Sequence, residues 1–456
     1  MILRKISSEG ISHNSFFISA GGKAAVIDPR RDAGIYLDLA REAGVKITSI
    51  FETHRNEDYV IGSVELAARA GAEILHGHQM DFAYGTKVKE GDVRLLGPVE
   101  LRVLETPGHT LESISVVVTD REVSDKPYAV FSGDALFSGE VGRTDFFGPE
   151  RRGWASELLY ESVTGKLLPL GDQTLVFPAH GAGSVCGSEI SDHEFTTIGY
   201  EKLSNPLLQI SRDEFISRKI SEHHYLPPYF KMMEKLNKEG APPIHHLPDL
   251  AAYSVKEVME QREKAQVVDI RSPTSFAAGH VPGSFSIWRE GIPAFIGWFL
   301  NYSDAIILVD DFNCNLTDVG RHFVRLGYDN LKGYLAGGFP AWFKSAAPVA
   351  SFAAWSVQEF MERRESKDLF ILDVRDIRNV ISVGMIPGAH HIYIGDLPGR
   401  LGEVPRDMPV AVCCDAGYKG SLGAGILAAN GYREIANILG GMTAYLRAGY
   451  PVEKRS

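Results

Sequence analysis

The chain has 456 residues, 44% hydrophobic and 23% charged, which is the composition of a soluble globular protein of about three domains. A formal net charge of −11 argues against nucleic acid or an anionic membrane as partner, and no apolar run is long enough to span a bilayer. The opening "MILRKISSEG" lacks the apolar core of a signal peptide, so a cytoplasmic location is expected.

In roughly the first 240 residues short strands dominate. They are "NSFFIS", "AAVID", "ITSIFETH", "LRVLETPGH", "SISVVVT", "YAVFSGD" and "TLVFPAH". Helical stretches such as "IYLDLAREAG" and "GSVELAARAG" lie between them. Several strands end in a histidine or aspartate, namely His54, His109, Asp134 and His180. Polar residues at strand ends beside Gly or Pro turns can converge on one rim of a sheet. A single histidine in such a place is ordinarily a surface loop residue; four such residues in this order point to a site.

The second half is an internal repeat. "YSVKEVMEQREKAQVVDIRS" from Tyr253 recurs as "WSVQEFMERRESKDLFILDVRD" from Trp355. Each copy opens a helix with a capping-box pattern, Ser254 with Glu257 and Ser356 with Glu359. "GHVPGS" and "GMIPGA" follow, then the buried strands "AIILVDD" and "PVAVCCD", a loop and a helix, and finally "LAGGFPAW" and "ILGGMTAY". Strands alternating with helices through short turns predict parallel sheets covered by helices. The copies are placed at 246–349 and 350–456, which leaves 1–245 as the first domain, with "SAAPVASFAA" as the seam between the copies.

"ETHRNEDYVIGS", "ETPGHTLESIS", "FSGDALFSGEVGRTDF" and "FPAHGAGSVCG" resemble the ordered motifs of the metallo-β-lactamase fold. The "GRTDF" stretch, "PPYFKMMEKLN" and the rhodanese-like copies narrow the resemblance to persulfide dioxygenase–rhodanese fusion proteins, over nearly the whole length. The fold implied is α/β: an αββα metallo-β-lactamase sandwich followed by two rhodanese-like, doubly wound parallel-sheet domains.

In the dinuclear hydrolases of this fold, His-x-His-x-Asp-His feeds two metals. The stretch "THRNEDYV" keeps His54 and Asp58, with Asn56 and Tyr59 where further histidines would stand. An amide is a poor ligand for a borderline metal and a phenol stays protonated near neutral pH, so two full sites are not expected. His54, His109 and Asp134 remain as two histidines and one carboxylate, a set that suits non-haem Fe(II) with open positions. The resemblance implies the same three ligands and one Fe(II) per chain. Asn56, Asp58 and His180 are expected to surround that ion and tune it without coordinating it. Typical members of the group keep histidine at the position of Asn56. The resemblance also suggests Arg143 near the substrate, and Lys202 where related glutathione persulfide enzymes carry arginine.

"CCDAGYKGS" resembles the rhodanese active loop Cys-x-x-Gly-x-Arg-Ser. Alignment on Gly417 makes Cys414 the nucleophile and Cys413 a strand residue, and sets Lys419 at the substrate where arginine is usual. Inward amides and a helix N-terminus are expected to lower the thiol pKa. In the first copy Asp310 falls opposite Cys414, so that copy is expected to be catalytically silent; Cys314 matches Tyr418 and reads as structural. Cys186 reads as a small buried apolar residue.

The implied activity is oxidation of a low-molecular-weight thiol persulfide by O2 to sulfite, with Cys414 relaying sulfane sulfur to give thiosulfate, in sulfide detoxification. A homo-oligomer is expected. Two other readings stay open: a glyoxalase II-like dinuclear thioester hydrolase, and a sulfur-carrier protein with a degenerate metal domain.

Overall fold

Strands such as Ile114–Asp120 (ISVVVTD) are β-branched and buried on both faces. That pattern suits a sheet packed on a second sheet on one side and on helices on the other. The computed structural model describes residues 1–187, 190–366 and 368–454. They form two compact units, Met1–Leu247 with Val324–Gly327, and Pro248–Phe323 with Tyr328–Ser456.

The first unit holds two six-stranded sheets. One runs in chain order through Ile2–Ser8, His13–Ala20, Lys23–Ile27, Lys46–Glu52, Glu73–Gly77 and Thr86–Val88. The other has the order Thr196–Thr197, Leu175–Pro178, Ala129–Gly133, Ile114–Asp120, Val99–Glu105 and Val93–Leu96. Phe16, Phe51, Leu101, Val116 and Phe131 fill the space between the sheets. Outside, Tyr36 and Leu66 of helices Gly34–Ala43 and Ser63–Ala70 cover Val26 and Ile50. Leu159 and Phe215 of helices Arg152–Ser162 and Arg212–Ser221 cover Val117 and Val130. The architecture is therefore the expected αββα sandwich.

Strand directions put the polar strand ends on one rim. Val99–Glu105 and Ala129–Gly133 both run antiparallel to Ile114–Asp120, and Leu175–Pro178 runs parallel to Ala129–Gly133. Three strands thus end on the same side, just before His109, Asp134 and His180. The Ile114 amide bonds the Thr53 carbonyl at 2.7 Å, tying the end of Lys46–Glu52 in the facing sheet to that rim. Gly133 makes the approach possible: its φ is +56°, and a Cβ there would lie 2.9 Å from the Thr53 side chain.

The second unit holds two five-stranded parallel sheets with the same permuted order. They are Ala251–Tyr253, Leu331–Leu335, Ala305–Val309, Ala265–Asp269, Phe285–Ser286, and Ala353–Trp355, Ile435–Ile438, Val410–Cys413, Phe370–Asp373, His390–His391. The Asp-x-Arg ending explains itself in both. Arg271 grips Asp269 and the Gly279 carbonyl, and Arg375 grips Asp373 and the Gly384 carbonyl, so each buried carboxylate at a strand end is neutralised. Ser254 and Glu257 form the full capping box, and in the second copy the Glu359 amide donates to Ser356 Oγ at 3.1 Å. Among the described residues no helix is long and apolar enough to cross a membrane.

Candidate functional site

His54 follows strand Lys46–Glu52, and its ring orientation is set by a relay. The Thr53 hydroxyl donates to Asp28 Oδ2 at 2.7 Å, so at 2.9 Å its oxygen accepts from His54 Nδ1–H. Asp28 also accepts from the Thr53 amide at 2.7 Å. His109 Nδ1–H donates to the Arg143 carbonyl at 3.0 Å. Each ring therefore turns the lone pair of Nε2 into the site. Asp134 Oδ2 faces both, 3.6 Å from His54 Nε2 and 3.4 Å from His109 Nε2. All three residues are buried, and none of these three atoms has a hydrogen-bond partner. Three buried acceptors converging on one point are costly unless a cation sits among them. The donor set thus fits a metal ion. Burial holds the His54 imidazole down at about 4, which keeps it neutral and able to ligate. Burial opposes ionisation of Asp134, but His180, His54 and His109 outweigh it and hold the carboxyl well below the usual range.

Beside this group, His180 Nδ1 donates to Asp134 Oδ1 at 2.8 Å. His180 Nε2 lies 3.1 Å from Asp58 Oδ2 without the alignment of a hydrogen bond. Burial disfavours its charge, yet the two carboxylates raise its pKa well above the ordinary value. Asn56 donates from Nδ2 to the His54 carbonyl at 3.2 Å, and Tyr59 stacks on buried His13 at 3.9 Å. Burial keeps the Tyr59 phenol protonated.

The geometry adds residues that spacing did not reveal. Asn237, on helix Phe230–Glu239, donates to the carbonyls of Asn56 and Tyr59 at 2.7 and 2.8 Å and accepts from the Ile61 amide at 2.9 Å. The "PPYFKMMEKLN" segment thereby fixes the turn that carries the site. Glu57 turns inward toward His109. Cys186 is buried against Phe137 and Ile190, as expected of a small apolar residue, and its sulfur also lies with ligand atoms of Asp58 and His180 within 4.8 Å of one another.

Two substrate-side expectations meet a different arrangement. The buried Arg143 guanidinium holds Asp145 at 2.7 Å and the Val185 carbonyl at 3.0 Å, so Arg143 reaches the centre through its backbone carbonyl on His109. Lys202, in helix Ile198–Ser204, is partly exposed and pairs with Asp172 at 2.6 Å; the structure gives it no bond to the centre.

In the second copy Cys414 immediately follows strand Val410–Cys413, and helix Tyr418–Ala429 starts just after Gly417. Its Sγ accepts from the Gly417 amide at 3.0 Å, and Lys419 pairs with Asp415 at 2.6 Å. The loop is closed behind by Gly441, whose φ is +47° and where a Cβ would lie 2.1 Å from the Cys414 carbonyl oxygen. The expected lowering of the thiol pKa is not what results. Cys414 is 1% exposed, and burial raises its pKa against the amides of Gly420, Ala416 and Gly417 and the charge of Lys419. Alkylation of Cys414 followed by mass spectrometry should therefore reach its midpoint above the pH of about 8.5 typical of a free cysteine; a lower midpoint would show the amides dominating. Cys413 is buried in the core of its domain.

The first copy has Asp310 after strand Ala305–Val309. The Phe339 amide donates to the Asp310 carbonyl at 2.8 Å, as the Met442 amide does to Cys414, so the two positions are equivalent. Arg289 Nη2 bonds Asp310 Oδ2 at 2.9 Å and the Cys314 carbonyl at 2.6 Å. Cys314, read as structural, is exposed.

Comparison with known proteins agrees with this architecture. The family profile of the metallo-beta-lactamase superfamily matches residues 9–180, and that of the rhodanese-like domain matches 253–345 and 356–448. A hydroxyacylglutathione hydrolase of Polaromonas sp. is 30% identical over 247 residues, 48% of this chain and 89% of the relative. The mitochondrial persulfide dioxygenase ETHE1 of Mus musculus is 31% identical over 215 residues, 45% of this chain and 73% of the relative. The crystal structure of a metallo-beta-lactamase from Staphylococcus aureus superimposes with a TM-score of 0.66 at 28% identity, over 74% of this chain and 99% of the other.

Proposed function

The chain belongs to the metallo-β-lactamase superfamily and continues into two rhodanese-like domains, and on that footing we propose that it is a non-haem iron persulfide dioxygenase with sulfurtransferase activity. The observation that carries the reading is the convergence of His54 Nε2, His109 Nε2 and Asp134 Oδ2, buried and otherwise unpartnered. Two histidines and one carboxylate suit one Fe(II), which when bound supplies the site for O2 and persulfide sulfur. The net reaction is RSSH + O2 + H2O → RSH + SO3²⁻ + 2H⁺. Thr53 and the Arg143 carbonyl hold the two imidazoles in the ligating tautomer, and His180 holds the far oxygen of Asp134. At Cys414, Sγ takes the outer sulfur of a second persulfide, RSSH + Cys–SH → RSH + Cys–SSH, and gives it to sulfite: Cys–SSH + SO3²⁻ → Cys–SH + S2O3²⁻. Lys419, in the first turn of the helix that follows the loop, is the cation for the sulfite. Four free cysteines fit a reducing compartment, and the reaction is assigned to the cytoplasm.

A second reading has its own observation. Asp58, His180 and Cys186 could hold a second cation, and hydroxyacylglutathione hydrolases are as similar as persulfide dioxygenases. An oxygen electrode separates the two. Anaerobically iron-loaded protein given a panel of thiol persulfides should consume O2 and release sulfite. Absence of uptake, with thioester hydrolysis by a two-zinc form, would establish the hydrolase instead.

A further inference from the structure

Glu57 has no part in the three-ligand set, yet it is 2% exposed and its Oε2 has no hydrogen-bond partner. Its other oxygen is taken, since Arg55 Nη2 bonds Oε1 at 2.9 Å. Arg55 is itself anchored by Glu234 at 2.6 Å, so the carboxylate is held with one oxygen outward and one inward. The inward Oε2 lies 3.6 Å from His109 Nε2, too far for a hydrogen bond. His109 places its Nδ1–H on the Arg143 carbonyl, which leaves Nε2 facing Glu57 and free to ligate when the ring is deprotonated there. The ligand atoms of His54, Glu57 and His109 all lie within 4.8 Å of one another, a span that a single ion can bridge.

We infer that Glu57 binds the same cation as His54, His109 and Asp134, through Oε2. The inference rests on the metal-binding part of the function proposed above. Asn56, whose amide turns back to the His54 carbonyl, supplies no ligand from the middle of the motif; its neighbour does. Two neutral imidazoles and two carboxylates then balance the charge of a divalent ion. A four-ligand set leaves one fewer position for water, O2 or persulfide than the three-ligand set does.

The test is Co(II) binding to the full-length protein and to Glu57→Gln, which keeps the shape and removes the charge. Affinity is read by competition with a chelator and coordination by the visible absorption of the bound ion. The rise in Tm on adding Co(II), taken for each protein against its own metal-free form, removes any effect on folding alone. Glu57→Gln should bind Co(II) more weakly by at least the roughly 10- to 100-fold seen when groups behind the ligands are lost, with an altered absorption spectrum and a smaller rise in Tm. Unchanged affinity would overturn the assignment. Weaker binding with an unchanged spectrum would overturn it too, because Glu57 would then act only as a nearby charge. Neither readout involves persulfide or O2. Co(II) binding that depends on Glu57 in a protein without oxygen uptake would sink the dioxygenase reading and leave the ligand in place.

Discussion

Asp134→Ala should lose its iron and, with it, persulfide-dependent oxygen uptake. Asp134 meets all three histidines of the centre, with Oδ2 facing His54 and His109 and Oδ1 bonded to His180. Removing it deletes a proposed ligand and also leaves His180 without one of the two carboxylates that hold its charge. Breaking a buried charged pair costs about 3–5 kcal/mol, so the alanine variant is also expected to unfold more readily. Asp134→Asn keeps the volume and serves as the companion. Metal analysis should show less than one iron per chain in both, and oxygen uptake should fall further than the roughly 10- to 100-fold typical when only a supporting group is lost. Full uptake retained by either variant would rule out this residue as a ligand.

Cys414→Ser should separate the two halves of the reaction. Serine keeps the shape of the loop and can accept from the Gly417 amide, but an alkoxide cannot carry sulfane sulfur at neutral pH. Oxygen uptake should stay near the unsubstituted level, while thiosulfate disappears and sulfite accumulates, as followed by chromatography of the trapped sulfur anions. Cys314→Ser is the control: Cys314 is exposed and lies four residues beyond Asp310, the equivalent of the nucleophile, so neither product should change. Loss of thiosulfate in Cys314→Ser alone would place sulfur transfer in the other copy.

The centre was legible in the sequence where it depends on strand ends. His54, His109, Asp134 and His180 each follow a strand, and strand direction alone carries them to one rim. Glu57 and Cys186 were not legible, because their approach depends on how a turn and a loop close. That closure is fixed by distant partners such as Asn237, 181 residues from Asn56. The partners of the Arg143 side chain were not legible for a related reason: a sequence shows a cation but not the neighbouring Asp145 and carbonyls that it binds. The thiol of Cys414 shows the same gap. Its amides and helix start could be read from the loop motif, whereas the burial that outweighs them arises from packing around the loop. The repeat was the most legible feature of all, because its caps, Asp-x-Arg pairs and double glycines are local devices that each copy repeats.

The Arg289–Asp310 pair bears on how duplicated loops age. Both copies end a central strand at a position that, on the proposed reading, accommodates negative charge. In the first, the charge belongs to the chain itself and Arg289 neutralises it. In the second, strand register sets buried Ile394 where Arg289 stands, and the sulfur at Cys414 bears charge only when ionised or loaded. A loop with a built-in anion is complete at every moment and is indifferent to the supply of sulfur. Its counterpart must tolerate being neutral, charged and sulfur-bearing in turn, and its nearby cation, Lys419, is shared with Asp415 instead of being committed to the sulfur. On the proposed reading, permanence in one copy and exchange in the other are thus alternative answers to the same electrostatic demand.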